Sequence, residues 1–509
     1  MLESDVLVIG GGPAGSTAAQ LLASWGRSVT IVHRPTASHL TLAESLPAST
    51  RKLLRFLGQL DGVDAATFHP NTGNRAEWAG ASRATTSADA GFHVPREAFD
   101  HVLRDHAQAA GARIVDATVQ RASVDDPTRV TGITPDGQAI EHRARYVLDC
   151  SGRTGVIARH GLRRTGAPYR TLAIVAEWEC DDWPADELTC TTIESYGDGW
   201  AWSVPLSARR RQCTVMIEKG ARVGPADRLR QGFGAQEAGP HVLLSRYQRE
   251  VAKARAMCAR LAKARRVSAP WTCDASIYDC VRAANGLVLL VGDAASFIEP
   301  LSSAGVKKAL LSAWRAAVVA NTCLANPAMA EAACDLYVRR EREVYQECLR
   351  RSAAFFAEAA RVYDTPFWTT RAEYAPGADP ALDIDAEDPT DDSLRRDASV
   401  RAAFEHLRAD AAVRVRPADA LRFASVPTID GREVVMREAV VVPGLESPLH
   451  YAAGVDLARL ARIVSGGADV PTIIAAYQDK VGPVPIAGLL TGLSFLIARH
   501  ALVTEGHSA

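Results

Sequence analysis

The chain has 509 residues, of which 47% are hydrophobic and 23% are charged, so it is long enough to bury a sizeable core. Its 58 Lys and Arg residues balance 59 Asp and Glu residues, which excludes a global field that would attract nucleic acid or an anionic membrane. The ten cysteines contain no C-x-x-C pair, which argues against a disulfide framework and a metal site. The first residues enter an apolar run without the pattern of a secretory leader. We therefore expect a cytoplasmic protein with no integral membrane insertion and no metal.

The N-terminal segment has the pattern of a dinucleotide-binding unit. A strand, a glycine turn, a helix and a second strand are predicted in sequence order over residues 5–9, 10–15, 16–25 and 29–32. This is the context that a G-x-G-x-x-G motif requires. Gly10 permits the tight turn, Gly12 lets the backbone approach a pyrophosphate at the helix N-terminus, and Gly15 lets the helix pack on the strand.

Later segments continue an α/β pattern around an insertion. Two further apolar runs end in an acid followed by small residues, at Asp149 and Asp293. Each would place carboxylate and backbone groups beside a ribityl chain or a ribose, with an ordinary loop as the alternative. Short β-type runs predict an inserted sheet, residues 329–362 a long helix, and Tyr374 to Asp397 a linker. The predicted domains are a Rossmann-like dinucleotide-binding domain at 1–170 and 276–365, an inserted β-sheet substrate domain at 171–275 with parts of 60–95, a linker at 366–400, and a C-terminal winged-helix-like α+β domain at 401–509.

The C-terminal segment predicts two strands, three helices and a final strand within residues 421–503, as in a winged helix. Residues 421–509 contain seven Lys plus Arg and eight Asp plus Glu, so the basic face that DNA binding needs is missing. The pattern also resembles peptide-recognition domains of pathways that modify ribosomally made peptides. A cap over the dinucleotide-binding domain, or a dimer contact, is the remaining alternative.

Six motifs together resemble the FAD-dependent monooxygenases of the p-hydroxybenzoate hydroxylase type, and within them the branch that includes the flavin-dependent tryptophan halogenases. They are G-G-G-P-A-G at 10–15, E-S-L-P at 44–47, V-P-R-E-A-F-D at 94–100, D-C-S-G at 149–152, G-W-A-W-S-V-P at 199–205 and G-D-A-A-S-F-I-E-P-L-S-S-A-G-V at 292–306. The resemblance covers residues 1–365 and implies that FAD is held by Gly10, Gly12, Ala14, Gly15, Arg96, Asp293, Pro300, Ser303, Ala304 and Gly305. His33 stands where the family usually carries an acid for the adenosine ribose.

The resemblance implies that reduced flavin and O₂ give a C4a-hydroperoxide that attacks an electron-rich ring. Halogenases of this branch add a relay lysine and a glutamate. No lysine occurs between Lys52 and Lys219, and residues 300–305 have P-L-S-S-A-G in place of P-L-E-S-T-G. We therefore predict hydroxylation of an indole-like ring. Halogenation of an aromatic substrate and a non-oxygenating reductase or cyclase activity are the alternatives.

Four residues are candidates for catalysis. His69 or Glu44 could remove a ring N–H or O–H proton, with a surface-loop role as the alternative for His69. Trp200 and Trp202 are predicted either to line a path between flavin and substrate or to pack in the core. Electrons come from NAD(P)H or from a separate reductase. The partner is an aromatic small molecule or a peptide that carries the ring. The second choice is similar to the monooxygenase that hydroxylates a peptidyl tryptophan in the maturation of quinohemoprotein amine dehydrogenase.

Overall fold

The chain divides into two units, residues 1–379 and 380–509, in a computed structural model. The structure describes residues 2–35, 41–122, 129–220, 240–374, 394, 396–410, 412–442, 445 and 448–505. No helix within these ranges is both long and apolar enough to cross a lipid bilayer.

Thirteen α-helices are found in the described ranges. In chain order they are α1 Pro13–Ser24, α2 Ser49–Phe56, α3 Leu60–Ala65, α4 Arg96–Ala109, α5 Pro240–Lys253, α6 Arg255–Leu261, α7 Gly305–Ala325, α8 Ala330–Tyr363, α9 Pro366–Glu373, α10 Ala398–Ala409, α11 Leu457–Ile463, α12 Val470–Lys480 and α13 Ile486–Ala498. The long helix predicted over 329–362 is confirmed as α8. Helix α1 begins three residues earlier than predicted, because Pro13 occupies its first turn, where a missing N–H costs nothing.

The first sheet of unit 1 has the parallel core of a dinucleotide-binding fold. Its strands run in the order Ala284–Asn285, Val288–Leu290, Ala139–Asp149, Leu2–Ile9, Val29–His33 and Arg113–Asp116, and the strands Thr118–Arg121 and Arg129–Ile133 extend it through Ala139–Asp149. Residues 6–9 are almost completely buried, as expected for a strand covered on both faces. The α/β fold class predicted from the sequence is confirmed.

The second sheet of unit 1 combines two segments, within residues 43–95 and 171–274, that lie between strands of the parallel core in the chain. It contains Ala43–Leu46, His69–Trp78, Ala81–Pro95, Thr171–Glu179, Cys190–Tyr196, Gly199–Pro205, Arg210–Glu218, Arg265–Arg266 and Trp271–Asp274. All its neighbouring strands are antiparallel except Cys190–Tyr196 and His69–Trp78, which run parallel. Helices α5 and α6 contribute to the core on one of its faces, where Tyr247 and Met257 are buried.

The segment expected to be a linker begins with structure. Residues 366–373 form helix α9, and Trp368 is completely buried with its ring centroid 5.4 Å from that of Trp78. This corrects the start of the predicted linker at 366, because the apolar pair Phe367 and Trp368 belongs to the core of unit 1. Residues 375–393 lie outside the described residues.

Unit 2 is a small α+β unit with its own core. A three-stranded sheet contains Ala468–Asp469, Arg414–Pro417 and Leu502–Glu505, while Arg422–Asp430 and Glu433–Val441 form a separate hairpin, and Tyr451–Ala452 pairs with Val455–Asp456. The hairpin, three helices and final strand follow the predicted order. The final strand, Leu502–Glu505, pairs with Arg414–Pro417, which precedes the segment over which the winged helix was predicted. Aspartate side chains accept hydrogen bonds at the starts of α10, α11 and α12, which stabilises these helices.

Candidate functional site

A cavity of about 480 Å³ opens at the carboxyl ends of the parallel strands in unit 1. The glycine turn, His33, Cys150 and Asp293 line it, and each of these follows or ends a strand of the first sheet. The crevice beyond the carboxyl ends of parallel strands is where open α/β folds bind nucleotides. The position and lining of this cavity therefore match a dinucleotide site.

The glycine turn is fixed by close backbone contacts. Gly10 has φ +107°, and a Cβ there would lie 2.5 Å from the carbonyl oxygen of Cys150. A Cβ on Gly15 would lie 1.9 Å from the carbonyl oxygen of Gly10. At Gly12 the nearest atom to an added Cβ is an Asp100 carboxylate oxygen, 3.7 Å away. The turn is thus closed on its protein side and has free space at Gly12, which fits a pyrophosphate at the N-terminus of α1.

Arg96 brings a positive charge to the cavity between two carboxylates. Its Nη1 lies 3.2 Å from Glu44 Oε1, and its Nε lies 3.1 Å from Asp100 Oδ1. Burial alone would lower the pKa of Arg96, but Asp100 and Glu44 outweigh it and raise that pKa, so the guanidinium stays charged. Burial raises the pKa of Glu44, and the neighbouring Arg96 partly opposes that rise. Arg96 can therefore bind an anionic group of a ligand. The neighbouring Glu44 carboxyl binds a proton more readily than an exposed glutamate does.

Asp293 and Asp149 have different roles in the structure, although the sequence analysis predicted the same role for both. Asp293 lines the cavity, as expected for a contact with a ribityl or ribose hydroxyl. Asp149 is completely buried, and its oxygens accept hydrogen bonds from the backbone N–H groups of residues 151, 157 and 158 and from the Ser151 hydroxyl. Asp149 therefore holds the following loop and does not line the cavity, which corrects its predicted contact with the ligand.

Lys308, which the sequence analysis missed, supports the turn that carries Asp293. Its Nζ donates to the carbonyl oxygens of Gly292, at 3.0 Å, and Ser296, at 2.5 Å, and lies 3.8 Å from Asp293 Oδ1. The lysine side chain is 2% exposed. In sequence it is the second of two lysines on a helix, and no local signal distinguishes it from a surface residue.

The segment of residues 300–305, which the resemblance expects to help hold FAD, also reaches the cavity. Pro300, Ser303 and Gly305 line it, and Ser303 has φ +49° at the end of a short 3₁₀ turn. Ala304 and Gly15 are not among the described residues that line the cavity. Their predicted roles are thus limited to shaping the turns beside it.

Glu299 precedes this segment and is 1% exposed. Neither of its carboxylate oxygens has a hydrogen-bond partner among the described residues. Burial raises its pKa to about 7, although Arg371 acts in the opposite direction. A carboxyl in this surrounding holds its proton over most of the acidic range.

One end of the cavity is a face of the second sheet. Strand register places Cys273, Ala173 and Met216 side by side on three neighbouring strands, and all three line the cavity. The next row along the same face is Trp271, Val175, Thr214 and Trp202, of which the last three line the cavity. This mainly apolar wall suits an aromatic ring.

The four catalytic candidates are divided by the structure. Glu44 and Trp202 line the cavity, whereas His69 and Trp200 are not among the described residues that do so. Trp200 is completely buried and packs edge-on against Trp202 and Trp78, as the core-packing alternative expected.

His69 lies in a separate polar cluster. Its Nε2 is 2.7 Å from the carbonyl oxygen of Leu188, and its ring stacks on His93, with 6.2 Å between the ring centroids. Burial lowers the pKa of His93 to about 3, so that neighbour stays neutral. His33 does line the cavity, and burial lowers its pKa too, which leaves a neutral imidazole where the family has an acid.

The described residues provide neither a lysine in the cavity lining nor a group of side chains suited to a metal ion. None of those that line the cavity is a lysine. No group of three or more His, Cys, Asp or Glu side chains in the described ranges is arranged to hold a metal ion.

A family model and two relatives match this chain in sequence. A family model described as tryptophan halogenase matches residues 73–424. The tryptophan 2-halogenase of Chondromyces crocatus is 29% identical over 386 residues, which cover 72% of this chain and 70% of the relative. A chlorinase of Pseudomonas fluorescens that acts on 1H-pyrrole-2-carbonyl-[peptidyl-carrier protein] is 25% identical over 357 residues, covering 61% and 74%.

Two solved structures match almost the whole chain. The flavin-dependent halogenase CmlS has a TM-score of 0.74 and 21% identity, covering 100% of this chain and 97% of its own. The peptidyl tryptophan dihydroxylase QhpG has a TM-score of 0.67 and 22% identity, covering 98% and 99%. At these identities the likeness shows the fold.

Proposed function

The chain belongs to the tryptophan halogenase family of flavin-dependent enzymes, and we propose that it uses FAD and O₂ to transfer an oxidised halogen or an oxygen atom to an electron-rich aromatic ring. Halogen transfer is the first candidate. The family match and the halogenase relatives support this choice over the hydroxylation that the sequence analysis preferred. The observation that carries the proposal is one continuous cavity that joins a pyrophosphate cradle to an apolar wall.

Residues that follow strands of the first sheet, together with Arg96 at the start of α4, would hold the cofactor. Gly10 and Gly12 shape the cradle at the N-terminus of α1, Arg96 neutralises phosphate charge, and Asp293 accepts hydrogen bonds from ribityl hydroxyls. Bound FAD, once reduced and exposed to O₂, supplies a two-electron oxidant.

The residues of the second sheet would hold the substrate ring. Ala173 and Val175 are small and leave room above the sheet, and Trp202 flanks them with an aromatic face. An apolar wall also excludes water, which would otherwise destroy the oxidant. Glu44 is the carboxyl best placed at the cavity to accept a ring proton, because its raised pKa makes it a stronger base than an exposed glutamate.

Oxygen transfer is the second candidate. It is favoured first by the cavity lining, since no described residue there is a lysine able to relay an oxidised halogen. The glutamate of the halogenase motif is also replaced, since the corresponding segment has Ser302. A non-oxygenating reaction is the third possibility retained from the sequence.

Product mass distinguishes these reactions. The enzyme would be supplied with reduced FAD, O₂ and either bromide, chloride or no halide, and with free indoles, phenols and a tryptophan-containing peptide. Replacement of hydrogen by halogen identifies a halogenase, whereas added oxygen in every buffer identifies an oxygenase. Turnover that persists without O₂ would exclude both, and protein that never binds FAD would refute the proposal as a whole.

A matched pair of variants tests the location of the ring. Trp202→Phe alters a wall residue of the cavity, while Trp271→Phe makes the same change at the other end of the same cross-strand row, outside the cavity lining. We expect a raised KM for Trp202→Phe only. Equal effects of both changes would place the substrate elsewhere.

Two further features belong to this proposal. Electrons come from NAD(P)H or from a separate reductase, and anaerobic bleaching of bound FAD by NADH or NADPH alone would identify the first.

The second unit recognises a peptide or carrier protein that bears the ring, which is supported by the carrier-bound pyrrole substrate of one relative and the peptidyl substrate of QhpG. An extended peptide would add a strand beside the hairpin of residues 422–441.

A further inference from the structure

The apolar wall of the cavity carries two hydrogen-bond donors side by side. Thr214 and Trp202 lie directly opposite each other on two neighbouring antiparallel strands, and both line the cavity. Residues paired in this way have Cβ atoms about 5 Å apart. One atom of a bound molecule can therefore contact both side chains.

Neither donor is paired within the described part of the chain. The Thr214 hydroxyl and the Trp202 indole N–H have no hydrogen-bond partner among the described residues. Thr214 is only 3% exposed, and the space that it lines is the cavity. Ser203, on the opposite face of the same sheet, shows the contrast, because its hydroxyl accepts a hydrogen bond from Arg211 Nε at 2.8 Å. Since a buried polar group without a partner costs free energy, the unpaired Thr214 hydroxyl indicates a place for a ligand group.

Both side chains are held in place before a ligand arrives. The Trp202 ring packs edge-on against Trp200, with 5.4 Å between the ring centroids and 89° between the ring planes. Trp200 is completely buried and packs in turn against Trp78. Thr214 is β-branched, which restricts rotation about its first side-chain bond. A ligand that uses these donors therefore immobilises little side-chain motion when it binds.

The chemistry of the two groups selects the ligand. An indole N–H only donates and a threonine hydroxyl can donate beside it, so together they fit an atom that accepts two hydrogen bonds. No Lys, Arg, Asp or Glu is among the other cavity-lining members of the two cross-strand rows, which are Val175, Ala173, Met216 and Cys273. Burial of an ion beside such groups costs far more than burial of a neutral oxygen. A carbonyl or phenol oxygen therefore fits this place better than a halide or a carboxylate.

We propose that Thr214 and Trp202 are specificity-determining residues, which together hold a neutral acceptor oxygen attached to the aromatic ring of the substrate. This inference rests on the proposed function, because it takes the apolar wall as the place of the substrate ring. It narrows the substrate class to rings that carry a carbonyl or phenol oxygen. An unsubstituted indole would bring its own N–H to the Trp202 N–H, and two donors do not bond.

Binding to oxidised, FAD-loaded protein tests the pair without turnover. Acetophenone and α-methylstyrene have nearly the same shape, but only acetophenone has an acceptor oxygen. Isothermal titration calorimetry gives Kd for each compound. We expect wild type to prefer the ketone by about twenty-fivefold, since each neutral hydrogen bond changes Kd by about fivefold.

Variants separate hydrogen bonding from packing. Thr214→Val removes the hydroxyl and keeps the shape, and Trp202→Phe removes the N–H, so each should reduce the preference about fivefold. Thr214→Ser keeps a hydroxyl and should keep the preference. Thr272→Val makes the same change at an exposed threonine on the opposite face of the sheet and should match wild type. The ratio of the two Kd values is the readout, because altered packing weakens both compounds alike, and FAD content checks that each variant folds.

The outcomes distinguish this inference from the proposed function. Equal binding of the two compounds by wild type would overturn the inference alone, as would a preference that survives both Thr214→Val and Trp202→Phe. Bromide binding that Thr214→Val weakens as much as it weakens ketone binding would also overturn it, because the pair would then be a halide site. Failure of both compounds, and of indole and phenol, to bind would refute the proposed function and this inference with it.

Discussion

Lys308→Met removes the ammonium group that supports the turn beneath Asp293 and keeps a side chain of similar length. The carbonyl oxygens of Gly292 and Ser296 would lose their bonds to Lys308 Nζ in a buried place. A hydrogen bond to a charged group contributes about 1.5 kcal/mol or more, so the two together amount to about 3 kcal/mol. The ion pair with Asp293 adds little, because its atoms are 3.8 Å apart and Asp293 is 30% exposed.

A loss of this size corresponds to about a hundredfold change in the unfolding equilibrium constant. It is measurable in unit 1 alone, since all nine tryptophans of the chain precede residue 380 and urea unfolding followed by tryptophan fluorescence reports on that unit. We also expect weaker FAD binding, measured by equilibrium dialysis, because the turn presents Asp293 to the cavity.

Lys263→Met is the matched control. This lysine is exposed, and the same substitution there should change neither the urea midpoint nor FAD binding. If Lys308→Met stays within 1 kcal/mol of wild type and binds FAD equally well, the inference that Lys308 holds the turn is refuted.

Three further predictions concern the cavity, the buried Glu299 and unit 2. Gly12→Val should fold normally but retain no FAD, because its side chain would fill the space that the pyrophosphate needs. Gly15→Ala should prevent folding, because its Cβ would clash with the carbonyl oxygen of Gly10. Soluble yield measures folding, and flavin absorbance measures retained FAD. Glu299 has a pKa raised to about 7, so the folded state binds a proton that the unfolded state releases near its ordinary pKa of 4.5. Stability should therefore fall as pH rises from about 5 to 7, and Glu299→Gln should remove up to about 3 kcal/mol of that dependence, seen by comparing urea midpoints at pH 5 and pH 8. Truncation after residue 379 should leave FAD content nearly intact while weakening binding of a peptide or carrier-borne substrate; loss of flavin would instead make unit 2 a structural cap.

Local sequence signals predicted much of the cofactor side of the site. The glycine turn and Asp293 could be placed at the cavity because strands, tight turns and helix starts are encoded by neighbouring residues, whereas Arg96 was placed by the family resemblance. The same signals failed for Asp149, whose hydrogen bonds to residues 157 and 158 depend on how the following loop turns back.

The substrate side depends on contacts between distant segments. Trp200 and Trp202 share one face of a strand, yet only Trp202 lines the cavity, because Trp78 packs over Trp200. The row of Cys273, Ala173 and Met216 is assembled from three strands by register alone. No short-range pattern specifies such a register, so neither the wall nor the buried role of Lys308 could be derived from the sequence.

Helix α7 extends from the cavity lining as one stiff rod. It begins at Gly305, in the cavity lining, and its last turn carries Cys323. Its 21 residues span about 30 Å at 1.5 Å per residue. A tilt of only about four degrees around its midpoint would displace each end by about 1 Å in opposite directions. Any displacement of the far end of α7 is therefore transmitted by leverage to the cavity lining at Gly305.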